Sequence, residues 1–285
     1  MQATATICAD GSVTAAGLTD RVPWWSFTKT GLAIATLRLA EDSLIDLDDK
    51  LPGEAFSVRQ LLRHEAGLPD YGGIARYHSD VAAGKRPWPV DRLLDAVNVR
   101  RLRYEPGAGW TYSNIGYLMV AQMIERATGL KLASALRSLV FEPAGLESAR
   151  LAIKPSDLAD VQMADATGYH PGWVYHGLVV GTVKDAARLL WELAYGELLK
   201  PVSLAAMKER RPLPECRSEV HPDPAYVLGI MLTANEPDAH PLGHGGAGPG
   251  SKIAVYARAQ RVAAVWASSP FETDPDVQVQ EMLAD

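Results

Sequence analysis

The sequence predicts an α+β fold: one sheet assembled from both ends of the chain, with a mainly helical lobe between them. Two observations carry the prediction. Strand-like apolar runs bounded by turn signals fall in residues 3–18 and 226–268. The segment between them instead shows helical spacing punctuated by capping and glycine–proline stop signals. The sheet lobe is accordingly assigned residues 1–40 and 200–285 and the helical lobe residues 41–199. The cleft between two such lobes is the natural place for a site.

Each element follows from its local pattern. Ala3–Cys8 alternates, Asp10-Gly11 turns the chain, and Val13–Leu18 completes a hairpin. A helix is expected over Ser26–Ala40, where Leu32, Ala33, Thr36, Leu37 and Leu39 make an apolar stripe. Ser57-Val58-Arg59-Gln60 has the form of a capping box before Leu61-Leu62, and Gly67-Leu68-Pro69 stops that helix. Ile115–Thr128 is amphipathic and ends at Gly129, and Thr182-Val183-Lys184-Asp185 caps a helix running to about Tyr195. Tyr226–Thr233, Lys252–Ala257 and Arg261–Ser268 read as strands, the last two joined through Arg258-Ala259-Gln260, and Asp274–Leu283 as a terminal helix. There is no internal repeat or low-complexity segment.

Composition excludes several function classes. The 285 residues are 47% hydrophobic and 22% charged, enough for a substantial core. A formal net charge of -6 argues against a general nucleic-acid or anionic-membrane surface. The densest basic stretch, Arg100-Arg101-Leu102-Arg103, is read as a solvated helix end. Met1–Thr6 lacks the basic and apolar regions of a signal peptide, and no apolar run is long enough to span a bilayer. Cys8 and Cys216 are far apart and outside any CxxC pattern, so they are expected to be reduced and structural. Together these lead to the expectation of a cytoplasmic enzyme.

Ser26-Phe27-Thr28-Lys29 carries the chemistry. A spacing of three on a helix puts both side chains on one face. A serine hydroxyl is a poor nucleophile until a base takes its proton, and a partly desolvated lysine can be that base. The first N–H groups of a helix lack intrahelical acceptors, so the amide of Ser26 is a candidate oxyanion donor. Two further segments can meet this pair. In Tyr112-Ser113-Asn114, alternate residues of an extended loop point the same way, so the phenol and the amide can both face Ser26. The alternative is a helix cap at Asn114 and a core aromatic at Tyr112. In Gly243-His244-Gly245-Gly246-Ala247, glycines let the backbone lie against a ligand and offer N–H groups to an oxyanion. The same stretch spells G-x-G-x-x-G through Gly248, but Pro249-Gly250 follows where a dinucleotide fold needs a helix.

These three motifs, in this order, resemble those of the serine β-lactamase and penicillin-binding-protein-like hydrolases, in the branch of class C β-lactamases, D-peptidases and family VIII esterases. The flanks agree. Leu61-Leu62-Arg63-His64-Glu65-Ala66-Gly67-Leu68-Pro69 is similar to one family segment, and Tyr104-Glu105-Pro106-Gly107 leading to Tyr112-Ser113-Asn114-Ile115-Gly116-Tyr117 to another. The resemblance implies a β-lactamase/transpeptidase-like fold, with an antiparallel sheet flanked by helices and a mainly helical lobe. It implies Ser26 as nucleophile, Lys29 and Tyr112 as sharing general acid/base work, and Asn114 as orienting substrate. It places the oxyanion hole at the backbone amides of Ser26 and Ala247, and substrate contacts at His244, Gly245 and Gly246.

One departure shapes the expected activity. His244 stands where many relatives have a lysine, and a histidine is only partly charged near pH 7. The lysine helps hold a carboxylate, so His244 points away from β-lactams and toward esterase or D-aminopeptidase-like relatives. The expected activity is cleavage of an ester, amide or peptide in a small molecule through an acyl-enzyme, without metal or organic cofactor. The alternatives are β-lactamase or DD-peptidase activity, or an acylated sensor without turnover. His64-Glu65 lacks the second histidine of a zinc-protease helix, and His78, His170, His176, His221 and His240 show no ligand spacing. Trp24-Trp25 are read as core. Tyr169, Trp173 and Tyr175 are read either as walls of the acyl pocket or as packing between lobes, with Trp173 the candidate substrate contact. Oligomeric state is not legible.

Overall fold

The structure is a computed structural model that describes residues 1–235 and 241–284. In chain order its strands are β1 (Gln2–Cys8), β2 (Val13–Gly17), β3 (Val22–Pro23), β4 (Arg150–Ala152), β5 (Leu178–Gly181) and β6 (Arg211–Pro212). They continue with β7 (Pro224–Tyr226), β8 (Met231–Thr233), β9 (Leu242–Gly248), β10 (Ser251–Arg258) and β11 (Arg261–Ser268). The helices are α1 (Thr28–Glu41), α2 (Val58–Leu62), α3 (Ala75–Ala82), α4 (Val90–Ala96), α5 (Asn114–Thr128), α6 (Leu132–Leu136), α7 (Val183–Ala194), α8 (Pro201–Ala206) and α9 (Pro275–Ala284).

Eight strands form one antiparallel sheet in the order β2-β1-β11-β10-β9-β8-β7-β6. The first and last parts of the chain are thus interleaved, as β1 pairs with β11 from Gln2↔Ala267 to Cys8↔Arg261. The β10–β11 hairpin closes through Ala259 and Gln260, both at positive φ (48° and 57°), the turn that matches the twist of two strands. Period-two alternation then sorts the side chains. Ala254, Tyr256, Ala263 and Val265 face α9, where they meet Val279 and Leu283. Ile253, Val255, Ala257, Val262, Ala264 and Trp266 join the main core on the other face.

α7 packs on β1, β10 and β11, with Leu189, Leu190 and Leu193 buried. It lies within the 41–199 range read from sequence as the helical lobe, so the chain returns to the sheet before residue 200. Its cap is the one its sequence encodes, the Thr182 hydroxyl accepting the Asp185 amide at 3.1 Å. α1 is buried on nearly every side rather than along one stripe, and it packs against α5 and α6. α5 ends at Gly129 in the left-handed region (φ 67°). The capping box at Ser57 and Gln60 is formed, but α2 ends at Leu62, before the Gly67 stop signal.

Two sequence expectations need correction. Tyr226–Thr233 is not one strand: it breaks between β7 and β8, where Gly229 has φ 72° and the Val227 amide donates to the carbonyl of Ile230. A Cβ at Gly229 would lie 2.5 Å from that of Ala33, so the break lets the chain pass close over α1. A second, three-stranded sheet in the order β3-β5-β4 was not foreseen, because its strands are too short to show a period. Arg100, Arg101 and Arg103 are exposed in the loop after α4. Cys8 is half-buried, Cys216 is exposed, and neither is in a disulfide. Among the described residues, no helix is long and apolar enough to cross a membrane.

Candidate active site

The small sheet aims the nucleophile. β3 delivers the chain to Trp24, whose amide donates to the carbonyl of Val179 (2.9 Å) and whose indole N–H donates to that of Gly181 (3.2 Å). The next residue, Trp25, has φ 44°, a conformation that costs a bulky L-residue energy and persists only when its surroundings enforce it. Its indole N–H donates to Ser251 Oγ (3.0 Å) and its ring meets Tyr169 edge-on. The sharp turn places Ser26 in a 3₁₀ turn, Trp25–Phe27, that leads into α1. The helix proper therefore starts at Thr28, two residues later than the sequence indicates. The meeting with Lys29 survives: Nζ lies 3.0 Å from Ser26 Oγ.

The segment before α5 supplies the other partners. Its extended backbone directs Tyr112 and Asn114 to the same side, and the Tyr112 hydroxyl donates to Ser26 Oγ at 2.9 Å. The cap of α5 is Ser113, whose hydroxyl accepts the Gly116 amide, so the side chain of Asn114 is free for the site. Asn114 Oδ1 accepts from Lys29 Nζ at 2.8 Å. Asp70 fixes that orientation, since its Oδ2 accepts from Asn114 Nδ2 (3.3 Å) and its Oδ1 from the Asn114 amide (2.6 Å).

Burial dominates the electrostatics. Lys29 has no exposed surface, and desolvation pulls its pKa down to about 7, against a smaller opposing pull from the Asp70 carboxylate. Burial raises the Tyr112 phenol well above its usual range, although the bond to Ser26 opposes this. Three buried imidazoles surround the amine, and desolvation followed by the charge of Lys29 depresses each: His64 and His176 well below 6.5, His244 to about 3. The native state therefore binds fewer protons than the unfolded chain between about pH 6.5 and 3, so the imidazoles' contribution to stability is complete above 6.5 and lost as pH falls. The urea midpoint is expected to fall steadily across that window, and a flat profile would contradict it.

The glycine-rich strand packs against the nucleophile. A Cβ at Gly246 would lie 2.8 Å from the amide nitrogen of Ser26 and 2.5 Å from the carbonyl oxygen of Trp24, so only glycine lets β9 come this close. A Cβ at Gly245 would instead point toward Asp276 of α9 (3.2 Å from Oδ1), and Gly245 is not among the residues lining the cavity described below. His244 is buried, with Nε2 3.2 Å from the Tyr226 hydroxyl and Nδ1 hydrogen-bonded to the carbonyl of Gly245. Ala247 is exposed and lines a cavity of about 360 Å³ that also bears Ser26, Asn114 and His176. Its other walls are Trp25, Tyr71, Tyr77, His78, Val81, Tyr169, Val174, Gly248 and Pro249. Trp173 lies behind that wall: its ring packs on Tyr77, Trp88 and Tyr175, and its indole N–H donates to the carbonyl of Lys85. The packing alternative describes Trp173, whereas Trp25 is buried in the main core, as read from sequence, and also forms part of the cavity wall. Among the described residues no cluster of three or more His, Cys, Asp or Glu could hold a metal, and His240 lies outside them.

The Beta-lactamase family model matches residues 7–284. The chain belongs to the Beta-lactamase family. Penicillin-binding protein 4* of Bacillus subtilis (strain 168) is 34% identical over 135 residues, 44% of this chain and 29% of that protein. A D-aminopeptidase of Brucella anthropi is 32% identical over 142 residues, 48% of this chain and 25% of that protein. The matches thus span less than a third of these relatives' lengths. A solved D-stereospecific amidohydrolase from Streptomyces sp. superposes with a TM-score of 0.81 at 22% identity, covering 99% of this chain and 93% of that one, which shows a shared fold.

Within this Beta-lactamase family chain, three residues join the site that sequence reasoning did not place there. His176, on the turn before β5, puts Nε2 3.4 Å from Lys29 Nζ. Asp70 holds Asn114 as described. His64 accepts the Ser113 amide through Nδ1 (3.1 Å) and packs against Tyr112 with ring centroids 4.4 Å apart and planes tilted by 40°, bracing the Tyr112–Asn114 segment. Local spacing carries no signal for any of them, because the fold alone brings them to Lys29 or its partners.

Proposed function

We propose that this chain is a serine hydrolase that cleaves an ester or amide bond through an acyl-enzyme on Ser26. The observation that carries the reading is the position of Ser26 Oγ, within hydrogen-bond distance of both Lys29 Nζ and the Tyr112 hydroxyl. An amine with a pKa of about 7 is substantially neutral at physiological pH and has a lone pair for the Ser26 proton. A phenol whose pKa burial raises is a proton donor and relay rather than a standing phenolate. The electrostatics thus favour Lys29 as base, with Tyr112 passing the proton to the leaving group.

In this reading Ser26 Oγ attacks the carbonyl carbon while its proton moves to Lys29. The oxyanion is held by the amides of Ser26 and Ala247, at the junction of the Trp25–Phe27 turn and β9. Collapse breaks the bond to the leaving group, which departs with a proton from Tyr112, itself recharged from Lys29. Water then attacks the ester, the same pair takes its proton, and the acid is released with Ser26 restored. Asn114 holds Lys29 in register, and Asp70 holds Asn114. A fluorophosphonate probe is expected to label the folded protein once, on Ser26, and to stop hydrolysis of p-nitrophenyl butyrate in proportion. Labelling elsewhere, or none, would overturn the reading.

A further inference from the structure

We propose that the acyl pocket accepts an uncharged apolar group, so that the natural substrate carries neither a carboxylate nor a free α-ammonium beside the scissile carbonyl. This rests on the reading of Ser26 as the nucleophile and narrows it to a substrate class. The lining of the cavity supplies the argument. Trp25, Tyr71, Tyr77, Tyr169, Val81 and Val174 give it aromatic and branched walls, and none of its described lining residues is acidic, lysine or arginine.

The charged groups nearby are already committed. Both oxygens of Asp70 are engaged, Oδ1 by the Asn114 amide and Oδ2 by Asn114 Nδ2 and the Gly72 amide (3.0 Å). Asp80, on the same helix as Tyr77 and Val81, is buried and bound by Lys85 (2.6 Å) and by the indole N–H of Trp88 (2.9 Å). Lys29 is enclosed by Ser26, Asn114 and His176. His244, at the motif position that could have supplied a cation, lies outside the cavity lining, tied to Tyr226 and Gly245. Of the two imidazoles in the lining, His78 is hydrogen-bonded through Nε2 to the carbonyl of Gly72 (2.7 Å) and His176 is buried against Lys29. A charge seated among the aromatic walls would lose its water with no lining carboxylate, lysine or arginine to pair it, which is costly, whereas a phenyl or branched alkyl group gains contact with the rings. The hydroxyl of the wall residue Tyr77 is itself committed, donating to the carbonyl of Trp173 (2.9 Å).

Two matched sets of p-nitrophenyl esters test this with one leaving group: valerate against monoglutarate at pH 8, where Lys29 is largely neutral, and 3-phenylpropanoate against D- and L-phenylalanine at pH 6.5, where the α-amine is charged. The neutral member of each set is expected to be preferred in kcat/KM by about 100-fold or more, the scale for leaving a buried charge unpaired. Val81→Asp, which puts a carboxylate on the α3 wall of the cavity, should narrow the phenylalanine gap at least tenfold and leave the glutarate ester poor. A charged ester within tenfold of its neutral partner in the wild type would overturn the proposal while leaving the acyl-enzyme reading intact. If fluorophosphonate fails to label Ser26 and no ester is turned over, the underlying reading falls instead, and this proposal with it.

Discussion

Ser26→Ala is expected to lower p-nitrophenyl ester turnover by about 10⁴-fold or more, in line with the removal of a serine nucleophile whose partners remain in place. The size follows from the geometry. Lys29 and Tyr112 both converge on Ser26 Oγ, at 3.0 and 2.9 Å, so alanine removes the one oxygen on which both act. The side chain is small and at the cavity surface, so far-UV circular dichroism and thermal midpoint should stay near wild type. A variant that keeps more than about a tenth of wild-type turnover would show that the chemistry lies elsewhere.

Lys29→Arg is expected to lose about 10²–10⁴-fold in kcat/KM, the range for removing a general base. Arginine keeps the positive charge and cannot deprotonate, so it separates a lysine that accepts a proton from one that only supplies a field. The wild-type pH profile carries the same information. With Lys29 near 7, kcat/KM should rise about tenfold per unit below pH 7 and level off above it. If a Tyr112 phenolate were the base, activity would keep climbing into strongly alkaline solution, because burial raises that phenol. A plateau above pH 7 in the wild type together with near-full activity in the arginine variant would rule out both assignments.

The parts of the molecule legible in its sequence are those where chemistry or backbone geometry restricts residue choice locally. Ser26, Lys29, Tyr112 and Asn114 could be named because acyl transfer needs those groups at those spacings, and the structure brings them together. Gly129 and the Ser57 box marked helix ends because each satisfies a backbone group within a few residues. What escaped is set by distant packing. His176 approaches Lys29 across 147 positions, and Asp70 reaches Asn114 across 44. Trp173 carried the right composition for a pocket wall but lies one layer too deep, because Tyr77 stands in front of it. The break at Gly229 depended on how closely α1 would pass beneath, which no run of residues 226–233 encodes.

A buried amine ringed by three uncharged imidazoles has a cost that every folded copy bears. Between pH 7 and the lysine's ordinary value of 10.5 the unfolded chain holds a proton that the native Lys29 has largely released, so at pH 7 the fold is weaker by a few kcal/mol than one whose lysine kept its ordinary pKa. Lys29→Met should therefore melt higher than wild type while hydrolysing nothing. A laboratory evolution campaign that ranks variants by heat resistance alone would be drawn to position 29, and would enrich robust, inert proteins unless every round also scored turnover.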